Sequence, residues 1–226
     1  RGGLAEAWTG GVYPFNKDEL RDFPVDYSHM QACYSEVAER IGISGMRDDL
    51  AEFMPMHDHI LTPLNLDDHS MDLLRKYERK RNLFRSRLNC VMGRARLATI
   101  SQDWKHRKAC SYRGRCLWGC PRDSFYTPSL TLEECKRYES FRYTPGLYVS
   151  HFRIGKDGRA SHLLVDRLDS KEREEWALDK LVLGAGTLST SRIVLESMRQ
   201  RDGTVVKLTG LMDNQQVLVP FINLDL

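Results

Sequence analysis

Four groups of residues have the types and spacing that chemistry uses. The first is Gly184-Ala185-Gly186-Thr187, between an apolar run and a helical pattern. Glycines let a backbone pass close to a ligand, and the unpaired N–H groups of a helix start favour phosphate. A full dinucleotide fingerprint would add a third glycine two positions after Thr187 and an acidic residue about 20 further on, in a strand. The sequence has Ser189 at the first place, and Asp202 lies in a polar context. On these residues alone, a phosphate loop and an ordinary tight α/β connection stand level.

The second group is Cys110, Cys116 and Cys120, followed by Pro121. Its C-x-x-x-C-P end matches the tail of a ferredoxin pattern, but the preceding C-x-x-C pair is missing, and no zinc spacing completes four ligands. Buried thiols, or one disulfide across the loop, outweigh a metal; a metal or redox module built on this loop is the alternative to the main reading below. The third group, His57, Asp58 and His59, has no third ligand nearby and reads as solvated loop. The fourth is the basic run Arg75, Lys76, Arg79, Lys80, Arg81, Arg85 and Arg87, continued by Arg94 and Arg96. Tyr77 and Phe84 interleave it at helical spacing, which makes them core-facing rather than base-stacking. A solvated basic face is expected, with no nucleic-acid partner. Neither G-x-S-x-G, H-E-x-x-H nor G-x-x-x-x-G-K-[ST] occurs, so hydrolase and nucleoside-triphosphatase readings lose their usual support.

The elements that must position these groups follow from periodicity and breakers. Residues 1–25 are rich in Gly, Pro and aromatics and carry no long element. Met30, Cys33, Tyr34, Val37, Ala38 and Ile41 form a helical stripe over 28–41, stopped by Gly42. An irregular excursion follows over 42–69, then a second helix over 70–88. Residues 91–100 read as extended and 101–121 as loop. Runs at 147–154 and 160–168 flank Gly155-Lys156-Asp157-Gly158 and predict a hairpin. An apolar, β-prone run at 178–183 leads through the glycine turn into a helix over 187–198.

Composition sets the outer bounds. Hydrophobic residues at 41% and charged residues at 29% are ordinary for a globular protein. The 34 Lys plus Arg against 31 Asp plus Glu leave a net charge of +3, too near neutrality for a polybasic partner of the whole chain. The longest apolar run, Leu181 to Leu188, is far shorter than a membrane-spanning helix requires, so no transmembrane segment is expected. Six cysteines are too few for a disulfide scaffold. The chain opens on Arg1 without a signal peptide and stops just after the apolar run ending at Ile222, so it is expected to be an internal portion of something longer.

Taken together, three segments resemble the glucose-methanol-choline (GMC) flavoprotein oxidoreductases. Gly2-Gly3-Leu4-Ala5-Glu6-Ala7-Trp8-Thr9-Gly10-Gly11 is similar to the glycine-rich loop that lies against the flavin and pyrophosphate, most closely in the pyranose-oxidase-like branch. The segment from Leu181 to Ser197 is similar to the family's second signature, and Gly146-Leu147-Tyr148-Val149 to the strand whose Val backbone meets the adenine. Gly210-Leu211-Met212-Asp213-Asn214 resembles the family's Asp-His or Asp-Asn region.

The resemblance implies an α/β fold, a Rossmann-like FAD-binding domain interleaved with a β-rich substrate domain. Residues 1–25 would be the flavin-contacting loop, 26–145 a helical and irregular insertion with the Cys loop, and 146–226 the hairpin and strand-turn-helix of the FAD domain with the start of the substrate domain. It implies oxidation of a CH–OH group in an alcohol or sugar. The cofactor-binding residues would be Gly2, Gly3, Trp8, Thr9, Gly10, Val149, Gly184, Ala185, Gly186 and Thr187. Trp8 and Thr9 would sit closest to the isoalloxazine. Ala7 stands where the pyranose-oxidase-like branch has a flavin-linked His, so FAD would be non-covalent. Met198 stands where the signature usually continues with Gly. The family's first G-x-G-x-x-G would precede Arg1 and its catalytic His would follow Leu226, so no catalytic base is assigned and the chain alone is expected to be inactive. His151 and His162 are expected to be solvated strand residues.

Overall fold

Helix α1, Tyr27–Ile41, ends where the sequence places its stop. Gly42 adopts φ 71°, and its N–H returns to the Ala38 carbonyl at 3.0 Å. The stripe buries Ala38 and Ile41, while its earlier members Cys33 and Val37 stay exposed. The structure, a computed structural model, describes residues 2–212. These divide into two units that meet in sequence at Cys135 and Lys136. Both helices and strands are present, as an α/β class requires. The Asp213-Asn214 pair and the run ending at Ile222 lie outside the described residues.

In the first unit, α1 packs over a small core of Ala38, Ile41, Ile43 and Ala98, with Trp8, Val12, Ile60 and Tyr126 against it. Two-residue strands β1 (Ile43–Ser44) and β2 (Ile60–Leu61) pair in parallel within the predicted irregular stretch. The predicted extended block is joined to them through its C-terminal half. Ser44 and Leu97 exchange both backbone hydrogen bonds, Ala98 N–H donates to Gly10, and Ile100 N–H to Ser124. Two buried arginines fasten the surrounding loops. Arg96 donates to the carbonyls of Pro55 at 2.7 Å and Met54 at 2.6 Å. Arg107 donates to Asp123, Ile41 and Ser124.

The predicted helix over 70–88 is two helices, α2 (Asp68–Arg79) and α3 (Arg81–Leu88). Asp67 caps α2 by accepting the Ser70 N–H at 2.9 Å, as an N-terminal aspartate is suited to do. Lys80 then leaves helical geometry, with ψ 19°. On either side of the break Tyr77 and Arg81 are drawn onto one carboxylate, Asp49, a long-range contact that periodicity does not encode. Tyr77 is buried and meets Phe84 edge-on at 5.6 Å, the core-facing role its spacing implied. The Tyr77 hydroxyl, with Arg81 and Arg85 behind it, holds the Asp49 carboxyl below the usual carboxylate range. The basic face is thus partly neutralised from within, since Arg85 also pairs with Glu52. A fourth helix, α4 (Pro128–Cys135), opens on a proline, which suits a first helical position. Residues 101–121 form the expected loop, with one 3-10 turn at Cys116–Trp118.

In the second unit, strands β3 (Leu147–Ile154) and β4 (Ala160–Arg167) form the predicted hairpin, turning at Gly155 and Gly158. A third strand, β5 (Arg173–Ala177), adds to β4 antiparallel. Its sequence, Arg-Glu-Glu-Trp-Ala, hides it among polar residues; its partners reveal it. Arg173 reaches Asp166 at 2.8 Å, Arg167 pairs with Glu174, and Arg153 with Glu175 at 3.2 Å. Such exposed cross-strand pairs are each worth roughly 0–1 kcal/mol and act mainly on register. Helix α5, Thr187–Asp202, lies against β3, one turn longer than predicted.

The predicted strand over 178–183 is corrected. Leu178 makes the last ladder bond, N–H to Ser161 at 3.0 Å, and the chain bends at Asp179 away from the sheet. Beyond that bend no strand accepts its hydrogen bonds among the described residues, and Val182 is 92% exposed. An apolar β-prone run is a strand only where a neighbour satisfies its backbone.

Candidate functional site

The ten residues implied to bind a cofactor divide between the units. Gly2, Gly3, Trp8, Thr9 and Gly10 belong to the first; Val149, Gly184, Ala185, Gly186 and Thr187 belong to the second.

Three of the second set, Val149, Gly184 and Ala185, line one cavity of about 450 Å³ beside β3 and α5, whereas Gly186 and Thr187 do not line it. Val149 supplies one wall, Gly184 and Ala185 another, and Leu163 and Ile193 the floor. Gly186 caps α5 at φ 83° with no side-chain cap, a conformation that suits glycine. Thr187 begins the helix. A Cβ at Gly184 or Gly186 would meet nothing within 4 Å, so the space beside this turn is open. Ala185 N–H is turned onto Thr190 Oγ1 at 3.2 Å, which holds the turn against the first helical residues.

Among the lining residues with no role assigned from sequence, three are polar: Tyr148, Ser189 and Arg192. The Arg192 guanidinium lies 4.8 Å from the Tyr148 ring centroid and donates to the carbonyls of Val149 at 2.6 Å and Ser150 at 3.1 Å. This cation bridges α5 to β3 and sets a positive charge on the cavity wall. Its spacing from the glycine turn was visible in the sequence; its partners lie more than forty residues away in the chain.

His151 corrects an expectation. It is 8% exposed rather than solvated, beside Ser150 Oγ at 3.0 Å and registered opposite the buried Leu164 of β4. His162 is half-buried near Glu175. Burial holds the His151 imidazole below its usual range, with Arg173 and Arg153 reinforcing this and Glu196 and Asp166 opposing it. The unfolded chain takes up this proton near pH 6.5, before the folded chain does. Stability of the second unit is therefore expected to fall as pH drops from about 7 to 5, with a slope of up to about 1.4 kcal/mol per pH unit. Urea unfolding across that range checks it, and His151→Gln should flatten the slope; an unchanged slope in the variant would exclude His151 as its source.

In the first unit, Gly2 and Gly3 lead into a 3-10 turn, Gly3–Glu6, and are exposed. The Glu6 carboxylate accepts Ser129 N–H at 2.8 Å and Ser129 O–H at 2.7 Å, pinning this turn to α4. Trp8 turns inward: its indole N–H donates to the Tyr126 carbonyl at 2.9 Å and its ring tilts against Phe125 at 5.8 Å. Gly10 is buried at φ 76°, with Phe125 so close that a Cβ would lie 2.5 Å from its ring. Thr9 lines a cavity of about 460 Å³ that Cys110, Cys116 and Cys120 also line. Among the described residues no group of three or more His, Cys, Asp or Glu is arranged to hold a metal ion. His57, Asp58 and His59 fall in a turn where His59 adopts φ 64°, and Asp58 N–H donates to Ser35 Oγ at 3.2 Å. No helix among the described residues is long and apolar enough to cross a membrane.

No protein-family model matches the chain, and no curated protein matches it closely enough to count as a relative.

Proposed function

We propose that this chain forms part of an FAD-dependent oxidoreductase of GMC type, acting on CH–OH groups of an alcohol or sugar, and that its second unit holds the adenosine end of non-covalent FAD. The observation that carries the reading is the convergence of Val149 with Gly184 and Ala185 on one cavity, although the hairpin turn and strands β4 and β5 separate them in the sequence.

The residues present fit such a group. The turn at Gly184–Gly186 leaves backbone exposed beside open space, and the start of α5 presents N–H groups without a side-chain cap. Arg192 adds a fixed positive charge, which suits a phosphate-bearing ligand. Its bond to the Val149 carbonyl occupies one of that oxygen's two lone pairs and leaves the other for a ligand. Leu147, Leu163 and Ile193 supply apolar surface for a purine ring. When bound, flavin would supply the hydride acceptor, while the second unit's own residues would hold and orient the adenosine end. No catalytic base is assigned among these residues.

Titration of the full chain with FAD, ADP and FMN tests the reading. FAD and ADP should compete for one site, while FMN, which lacks the adenosine half, should not. Gly184→Val is the informative variant, because its new side chain enters open space without a left-handed φ and fills the cavity rather than straining the fold. It should weaken ADP at least tenfold, about 1.4 kcal/mol, with stability unchanged. Absence of ADP and FAD binding at millimolar concentration would remove the proposal.

A further inference from the structure

Half of the chain's six cysteines open onto the cavity of the first unit that Thr9 lines. Its walls are largely apolar, with Leu64, Leu97 and Phe125 among them, and Arg113 and Arg115 stand at its polar side. All six cysteines are free thiols; Cys33, Cys90 and Cys116 are exposed, whereas Cys110, Cys120 and Cys135 are half-buried.

The two ends of the segment from Cys116 to Cys120 have different surroundings. Around Cys120 the chain folds back through Pro121 to Phe125, and backbone hydrogen bonding from Phe125, Arg122 and Ser124 acts to lower its thiol. Burial acts to raise this thiol, but those donors outweigh it and hold the group below the usual thiol range. Cys116 has the opposite balance: although the residue is exposed, partial desolvation of its sulfur first, then the neighbouring Cys110 and Cys120 sulfurs, push its thiol up. The two thiols are thus shifted in opposite directions, Cys120 down and Cys116 up. Gly119 lies between them at φ 102° with open space about its Cα, which gives the intervening turn the backbone freedom to bring the pair together.

We propose that this cavity is a thiol–disulfide exchange site, in which Cys120 attacks a small disulfide bearing carboxylates and Cys116 resolves the product. In the first step the Cys120 thiolate bonds to one sulfur of the incoming disulfide, whose S–S bond breaks and releases one thiolate. In the second, Cys116 gives its proton to solvent and attacks Cys120 Sγ, forming the Cys116–Cys120 disulfide and releasing the second thiolate. Both released thiolates take up protons. Two electrons pass from the cysteine pair to the external disulfide, which is reduced to two thiols. Arg113 and Arg115, at the polar side of the cavity, favour the carboxylates of such a ligand over a neutral one. The inference needs no flavin and does not depend on the cavity in the second unit.

Exposure and activation make opposite forecasts, which gives the test. Limiting iodoacetamide at pH 7, followed by peptide mapping of the full chain, should alkylate Cys120 at least tenfold faster than Cys33 or Cys90. Glutathione disulfide should then yield a Cys116–Cys120 disulfide and two equivalents of glutathione. Cys116→Ser should stop at a mixed disulfide on Cys120 with one equivalent released, and Cys110→Ser should leave the two-equivalent outcome intact. Fastest alkylation at Cys33 or Cys90, or a disulfide mapping to Cys110, would overturn the proposal without recourse to any variant.

Discussion

Arg107→Met is expected to cost the first unit about 3–5 kcal/mol, a large share of the roughly 5–15 kcal/mol that holds a domain together. Arg107 is 4% exposed, and its guanidinium donates to three backbone carbonyls, Asp123 at 2.7 Å, Ser124 at 3.1 Å, and Ile41. Ile41 is the last residue of α1, where carbonyls lack helical partners and the helix dipole is negative, so a cation there satisfies both demands. Methionine keeps much of the stem's volume but abandons all three oxygens in a dry interior, at about 1–3 kcal/mol for each buried group left unpaired, with incomplete additivity. Lysine places a point charge where a planar fork is needed and should recover only part of the loss. Amide exchange at Ile43 and Ile100, which lie on either side of this junction, reads the effect locally. A loss under about 1 kcal/mol, the net worth of one ordinary hydrogen bond, would show that the guanidinium is not what fastens α1 to the loop after Ser101.

Gly42→Ala is expected to cost about 3 kcal/mol at the same junction, from two separable causes. Gly42 has a φ of 71°. An L side chain adopts that left-handed conformation at a cost of about 1–2 kcal/mol. The added Cβ would also lie 2.5 Å from Ile100 Cγ2, and Ile100 is fully buried. Neighbours must therefore shift, at a further cost of about 1–3 kcal/mol. Gly203 separates the causes: it has φ 77° but open space around it, so Gly203→Ala should show the first cost alone. Thermal unfolding should place Gly42→Ala roughly 10 °C below the parent. The Gly42 Cβ position is also 3.6 Å from Arg107 Nη1, so the two substitutions should combine to less than their sum. Equal effects at Gly42 and Gly203 would mean that packing against Ile100 contributes nothing.

The two proposed sites put different demands on the fold. The cavity of the second unit depends on a bridge, Arg192 across α5 and β3, and on Ser197, whose hydroxyl donates to Ile193 and accepts Phe152 N–H at 2.9 Å. Both contacts join the helix after the glycine turn to the strand bearing Val149, so the walls of that cavity are braced from α5 as well as from within the sheet. The cysteine cavity depends on irregular chain, in which positive φ at Tyr112, Gly114, Gly119 and Asp123 shapes the loop.

Local chemistry was legible in the sequence wherever one segment could decide its own structure. The α1 stripe with Gly42, the hairpin turning at Gly155 and Gly158, and the glycine start of α5 all appear where their residues place them, because each rests on hydrogen bonds and caps within a few positions. Tertiary structure decided whatever needs a distant partner. Residues 178–183 have strand propensity and no neighbour to pair with, while Arg173–Ala177 has little and becomes a strand because Asp166 and Arg167 stand opposite. Asp49 gathers Tyr77 of α2 and Arg81 of α3 from far along the chain, a contact that the amphipathic pattern does not encode. The same holds for the candidate sites. Cysteine spacing named the loop but not the backbone hydrogen bonding that lowers the Cys120 thiol, and the glycine turn named a place for a ligand but not Arg192, because burial, charge and hydrogen bonding at a site are set by residues that only folding brings near.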